Sequence, residues 1–275
     1  MVVASSPPPQ AHAALGVIGG SGFYSLLDDV TEVPVATPYG EPSDPLAVGT
    51  IGERRVAFLA RHGRDHRYPP HRINYRANMW ALHWAGVRQV IAPCAVGSLR
   101  AALGPGSLVV PDQLVDRTTG RVQTYYDRGA AHVAFADPYC PTGRLCVLST
   151  ARAAGWQPTN GGTMVVVEGP RFSTRAESRW FADQGWALVN MTGHPEAVLA
   201  RELALCYTAV ALVTDLDAGA EHGEGVSMEK VFRIFGESMA GLREVVLSTL
   251  QSLPAERTCP CPDALEGMDT SGVLP

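Results

Sequence analysis

Lysine is almost missing from this 275-residue chain: of its 22 Lys and Arg, only Lys230 is lysine. Also missing is any apolar run near the roughly 20 residues that a membrane span needs. Residues 1–14 have neither the basic start nor the apolar stretch of a secretion signal. The six cysteines form no CxxC pair and no regular spacing, which argues against a disulfide framework and against a zinc site. We therefore expect no metal. A net charge of −5 gives no general excess of positive charge for nucleic acid. These absences point to a soluble cytoplasmic protein, and 46% hydrophobic with 18% charged residues is the balance of a globular one.

What is present has the order of an α/β chain. Pro7-Pro8-Pro9 marks residues 1–14 as a disordered leader. Residues 15–253 read as one domain, and residues 254–275 as a loose tail. Short apolar strands are expected at 15–18, 56–59, 90–92, 108–110, 164–167, 188–189 and 208–213. Helical spacing covers 74–85, stopped by Gly86, and 142–154, stopped by Gly155. Thr174 and Glu177 make a capping box that opens another helix. Residues 227–250 keep an apolar stripe through Met228, Val231, Phe235, Met239, Leu242, Val246 and Leu250. Strands alternating with helices imply a single α/β domain with a mixed, largely buried sheet flanked by helices. Ligands of such sheets sit at the carboxyl ends of strands.

Several strand ends carry polar or glycine-rich residues. Gly19-Gly20-Ser21-Gly22 is either a tight turn or an anion-binding nest. It lacks the Gly-Lys-Ser/Thr of a Walker loop and the third glycine of a dinucleotide fingerprint. Seven of the basic residues lie between Arg54 and Arg76, with His62, His66 and His71 among them. Within that run, Arg61-His62 reads as a surface loop or as a fork with an imidazole for phosphate. Thr214-Asp215-Leu216-Asp217 reads as a helix cap or as a base-recognising pair of carboxylates. Cys259-Pro260-Cys261 reads first as a solvated tail with two thiols, and less readily as a redox or stapling device.

Read in order, eight segments resemble the methylthioadenosine phosphorylase branch of the trimeric purine nucleoside phosphorylases. They are Gly16-Val-Ile-Gly-Gly-Ser-Gly22, Arg61-His-Gly-Arg64, Ile73-Asn-Tyr-Arg-Ala-Asn-Met-Trp-Ala81, Ala95-Val-Gly-Ser-Leu-Arg100, Val109-Val-Pro-Asp-Gln113, Glu168-Gly-Pro-Arg-Phe-Ser-Thr-Arg-Ala-Glu-Ser178, Asn190-Met-Thr192 and Thr214-Asp-Leu-Asp217. The resemblance spans residues 15 to about 253. It implies phosphorolysis of a purine nucleoside, with 5′-deoxy-5′-methylthioadenosine as substrate. A 6-oxopurine nucleoside such as methylthioinosine, or a 5′-deoxy-5′-halo-adenosine, is the alternative, and a hydrolase or purine-binding protein is the alternative of another class.

Carried over by position, the resemblance implies a phosphate site from Ser21, Arg61, His62, Cys94, Ala95 and Thr192. It implies nucleoside contacts from Phe172, Ser173, Asn190, Met191, Thr214, Asp215 and Asp217. Asp215 would be the general acid at the purine N7. Met228, Val231 and Phe232 would wall the 5′ substituent. His132 would reach the site of a neighbouring subunit in a homotrimer. No cofactor is implied, since phosphate is a co-substrate. Two departures stand out: Cys94 replaces a hydroxyl residue, and Gly193-His194 replaces the usual Thr-Val.

Overall fold

The structure is a computed structural model that describes residues 7–20, 27–129, 131–218 and 226–268. In chain order the strands and α-helices are β1 (Leu15–Gly19), β2 (Asp28–Val33), β3 (Leu46–Ile51), β4 (Arg54–Ala60), α1 (Tyr75–Trp84), β5 (Gln89–Ser98), β6 (Leu108–Val110) and β7 (Gln113–Arg117). There follow α2 (Pro141–Ala153), β8 (Thr159–Asn160), β9 (Thr163–Val167), α3 (Arg175–Asp183), β10 (Leu188–Asn190), α4 (Gly193–Glu202), β11 (Cys206–Leu216) and α5 (Met228–Ser252).

All the strands expected from the sequence are present, within a mixed sheet that has 11 strands among the described residues. Its centre is parallel: β4, β1, β5 and β11 lie side by side. Strand β11 is buried along ten of its eleven residues, as a strand covered on both faces must be. Its alternate side chains feed two cores. Ala209, Ala211 and Val213 join the core under α1 and α4, while Val210 and Leu212 join the one under α2 and α5. Each such buried branched side chain contributes about 1.5–3 kcal/mol relative to exposure.

The helix ends follow the local chemistry. Asn74 caps α1 by accepting from the Ala77 amide, and Gly86 ends the turn at φ 89°, where an added Cβ would strike the His12 ring. Both halves of the Thr174–Glu177 capping box form at α3. Four strands were not legible: β2, β7 and β8 lie toward the margins of the sheet, where side chains are largely wet and apolar alternation fades, while β3 is mostly buried but broken by Gly49 and Thr50. Helix α4 was missed as well. His194 is extended (φ −118°, ψ 131°), so helical geometry begins at Pro195, and His-Pro read alone looks like a breaker.

The central strand β5 is ten residues long, but its neighbours on one side do not cover it. Strand β1 pairs with Gln89–Ile91 and β10 pairs with Gly97 and Ser98. Between them lies a gap beside Pro93, Cys94 and Ala95, and there the sheet opens into a cleft. The carbonyls of that gap must find other donors. Arg61 Nη1 donates to the Pro93 carbonyl at 3.1 Å, and Asn190 Nδ2 donates to that of Ala95 at 3.1 Å.

Candidate active site

The cleft has a volume of about 510 Å³. At one end stand Gly20, Arg61, His62, Cys94, Ala95 and Thr192; at the other, Phe172, Ser173, Asp215 and Asp217, with Asn190 and Met191 also lining it. Met228, Val231, Phe232, Phe235 and Met239 of α5 line a side. The fold thus gathers nearly every residue that the sequence nominated. Ser21 lies outside the described residues. His132 is described, is exposed, and is not among the residues that line the cleft of its own chain.

Arg61 is 2% exposed and does not offer the free fork expected of it. Its Nε and Nη2 donate to the two oxygens of Glu196, and Nη2 also donates to the Ile18 carbonyl at 3.0 Å. With Nη1 on Pro93, four of the five guanidinium N–H groups are engaged. Among the described residues one Nη1 proton remains for an anion, so the expected fork is corrected to a single donor. Burial works against the charge, but the Glu196 carboxylate outweighs it and holds Arg61 above its ordinary pKa. Tyr207 steadies the same carboxylate by donating to its Oε2 at 2.8 Å.

His62 also differs from its expected role as a ready donor. Its Nδ1 donates to the Tyr68 carbonyl at 2.8 Å, because a carbonyl only accepts. Burial, and then the Arg61 charge, push its pKa down to about 4. The neutral ring therefore has a bare Nε2, which accepts. An anion must bring the proton, either as a P–OH group or by protonating the ring. Cys94 is a neutral thiol, pushed up to about 12 by burial.

Asn190 builds the next corner. Its Oδ1 accepts from the amides of Thr192 (2.8 Å) and Gly193 (2.6 Å), while its Nδ2 holds Ala95. This Asx-type turn fixes Met191 and Thr192 at the cleft. Arg121 secures the turn from behind: it donates to the carbonyls of Met191, His194, Val167 and Glu168. Neither Arg121 nor Glu196 was nominated, since nothing local to them signals which distant groups they meet. The departure at Gly193-His194 is confined to the back of the turn. Neither residue lines the cleft, and His194 Nε2 lies 3.2 Å from Asp116 Oδ2.

At the far end β11 runs on through Leu216, past a register shift between Val213 and Asp215. Thr214 bulges there and donates to Asp215 Oδ2 at 2.9 Å. Gly97 faces both acids across the pair. A Cβ at that position would lie 3.0 Å from Asp215 Oδ1 and 3.4 Å from the Asp217 Cβ, so a larger residue would press on both acids and shift the Asp215 carboxylate by a few tenths of an ångström. Burial pushes the Asp217 pKa up, with the Ser178 hydroxyl opposing it. Among the described residues its buried Oδ2 has no hydrogen-bond partner, which leaves an acceptor for a ligand's N–H.

The C-terminal segment departs furthest from expectation. Residues 254–268 are not loose: Gln89 holds the Pro254 carbonyl, and a 3-10 turn spans Cys261–Leu265. Cys259 and Cys261, expected to be solvated, are 7% and 1% exposed. They meet Cys140 and Cys206, so four of the cysteines that looked scattered in the sequence converge.

The model of the phosphorylase superfamily matches residues 14–248. A purine nucleoside phosphorylase of Streptomyces coelicolor is 62% identical over 97% of this chain and 99% of its own. An S-methyl-5′-thioadenosine phosphorylase of Mycolicibacterium smegmatis is 62% identical over 89% of this chain and 93% of its own. Among solved structures, a methylthioadenosine phosphorylase from an Antarctic soil metagenomic library superposes with a TM-score of 0.88 at 38% identity, covering 93% of this chain and 92% of that one.

Proposed function

The chain belongs to the phosphorylase superfamily, and on that premise we propose that it cleaves 5′-deoxy-5′-methylthioadenosine with inorganic phosphate. The products are adenine and 5-methylthioribose 1-phosphate, which return to purine and methionine salvage. One observation carries the reading. A single cleft has a tethered cation at one end, two buried carboxylates at the other, and an apolar helix face along its side.

The chemistry suits that layout. Cleavage of the N-glycosidic bond passes through an oxocarbenium-like sugar, as in glycosidases. Phosphate needs no general base, only a fixed position under the anomeric carbon. Arg61, His62, Thr192 and the β5 gap supply it, with Ser21 as a further contact. The departing purine gains negative charge, which Asp215 relieves by donating to N7. Asp217, with its free acceptor, takes the 6-amino group. Met228, Val231 and Phe232 leave a 5′-hydroxyl without a partner and suit a methylthio group.

We place the working enzyme in a homotrimer in the cytoplasm, with His132 of one subunit reaching the 5′ end of the next site. Among the described residues no helix is long and apolar enough to cross a membrane. A second reading, action on purine nucleosides more widely, is favoured by the name of the Streptomyces coelicolor relative. A panel of methylthioadenosine, methylthioinosine, adenosine, inosine and 5′-halo-5′-deoxyadenosines, each with and without phosphate, separates the readings. Methylthioadenosine turned over best, and only with phosphate, is the expected outcome. Best turnover of inosine or methylthioinosine contradicts it.

A further inference from the structure

The sulfurs of Cys140, Cys206, Cys259 and Cys261 all lie within 4.8 Å of one another. Cys206 Sγ and Cys259 Sγ are 3.4 Å apart, and all four residues are at most 7% exposed. They pack as a cluster of their own, apart from the two main cores, and every one is a free thiol. Four zinc–sulfur bonds of about 2.3 Å in a tetrahedron set the sulfurs about 3.8 Å apart. The observed cluster needs shifts of about 1 Å or less to reach that figure.

Two features at Cys140 suit a thiolate. Cys140 is the N-cap of α2, where its sulfur accepts from the Gly143 amide at 3.4 Å and faces the positive end of the helix. Such N–H to sulfur bonds are the usual outer support of a thiolate ligand. The segments that carry the other cysteines are themselves tied down by hydrogen bonds. Arg257, two residues before Cys259, donates to the Ala204 carbonyl, and the Arg88 carbonyl accepts from the Cys206 amide.

We propose that these four cysteines bind one zinc ion as thiolates, in a closed structural site that fastens the C-terminal segment to the sheet. Each thiol releases its proton to solvent on binding, and no electrons move, so no oxidant is needed. With four protein ligands and no open position, the ion is structural. It is also remote from the cleft. Cys206 begins β11 and Asp215 lies nine residues on, about 30 Å along an extended strand. The metal would tie residues 254–268 to the start of the strand that carries both acids, and to the N-terminus of α2.

The test uses the full chain, purified with reductant and without chelator. Elemental analysis is expected to give one zinc per chain. Exchange for cobalt should give the visible absorption of a tetrahedral cobalt–thiolate centre. In denaturant with a chelator, all six cysteines should react with a thiol reagent. Cys261→Ser should bind less than a tenth of the zinc. Its melting temperature should no longer respond to added zinc or chelator, whereas that of the wild type falls several degrees with chelator. If only two thiols titrate, Cys94 and Cys146, the four are paired as disulfides and the proposal is overturned. Six free thiols in a protein that neither contains nor takes up zinc overturn it equally. Should Cys261→Ser fail to fold, the zinc content and thiol count of the wild type still decide.

Discussion

Arg61 and Glu196 meet edge to edge: Nε and Nη2 reach the two carboxylate oxygens at 2.5 and 3.0 Å, and both side chains are almost wholly buried. Each is the condition for the other's charge in that place. Glu196→Ala leaves a buried cation without its partner, and we expect it to destabilise the fold by about 3–5 kcal/mol. The double change Arg61→Met with Glu196→Leu should recover most of that loss in thermal unfolding. It should not recover phosphate use, and its phosphate KM should stay far above that of the wild type. A double variant with normal phosphate KM would remove Arg61 from the anion site.

His62 makes phosphate binding a proton-linked event. With the ring neutral and Nδ1–H on Tyr68, phosphate must arrive with a proton for Nε2. We expect the KM for total phosphate to rise between about pH 6 and pH 8, as the monoanion disappears. Calorimetry in buffers of different ionisation enthalpy should register proton uptake on binding. In His62→Gln, whose amide donates, both effects should shrink. The lowered pKa also bears on stability. A histidine neutral in the fold costs nothing above its ordinary pKa of 6.5, and stability is lost as pH falls from there toward about 4, because the unfolded chain then binds the extra proton.

The acids set the base. Carboxylate Asp217 only accepts, which suits a 6-amino group; a 6-oxopurine presents an acceptor there. We expect adenine nucleosides to be preferred by at least about tenfold in kcat/KM, or ~1.4 kcal/mol. Asp215→Asn should slow adenine substrates and move the ratio toward 6-oxopurines. Equal wild-type rates on methylthioinosine would sink this assignment.

Asn190 links both walls of the cleft through three hydrogen bonds. Asn190→Ala strands the Ala95 carbonyl and two amides, at about 1–3 kcal/mol for each buried group left unpaired. We expect a large fall in melting temperature together with a fall in kcat/KM. Asn190→Asp keeps the two amide bonds and should fall between the wild type and the alanine variant in both measurements. If Asn190→Ala unfolds at the wild-type temperature, the turn does not depend on this side chain.

Part of the site was legible from local signals: a glycine turn after a strand, Arg61-His62 at a strand end, and acids two apart at the end of an apolar run. Phe172, Ser173, Asn190, Met191, Thr192 and the α5 wall were implied only by the resemblance of whole segments to known phosphorylases. What stayed hidden is long-range. Arg61 and Glu196 are 135 positions apart, so nothing near Arg61 shows that its fork is already occupied. Arg121 looks like any loop arginine until the four carbonyls around it are in place. Cys140 and Cys206 have no local partner, and Cys259-Pro260-Cys261 acquires meaning only when the tail folds back on the sheet. Strand and helix periods report which face is buried; they do not report what that face meets.

Phosphorolysis is the central claim, and the fate of one oxygen tests it most directly. Methylthioadenosine should be cleaved in ordinary water with phosphate labelled in all its oxygens with the heavy isotope. If phosphate attacks the anomeric carbon, the sugar product is a 1-phosphate whose bridging oxygen carries the label, and cleavage stops when phosphate is withdrawn. Free methylthioribose with an unlabelled anomeric oxygen, formed at the same rate without phosphate, would show that water is the nucleophile and would contradict the account.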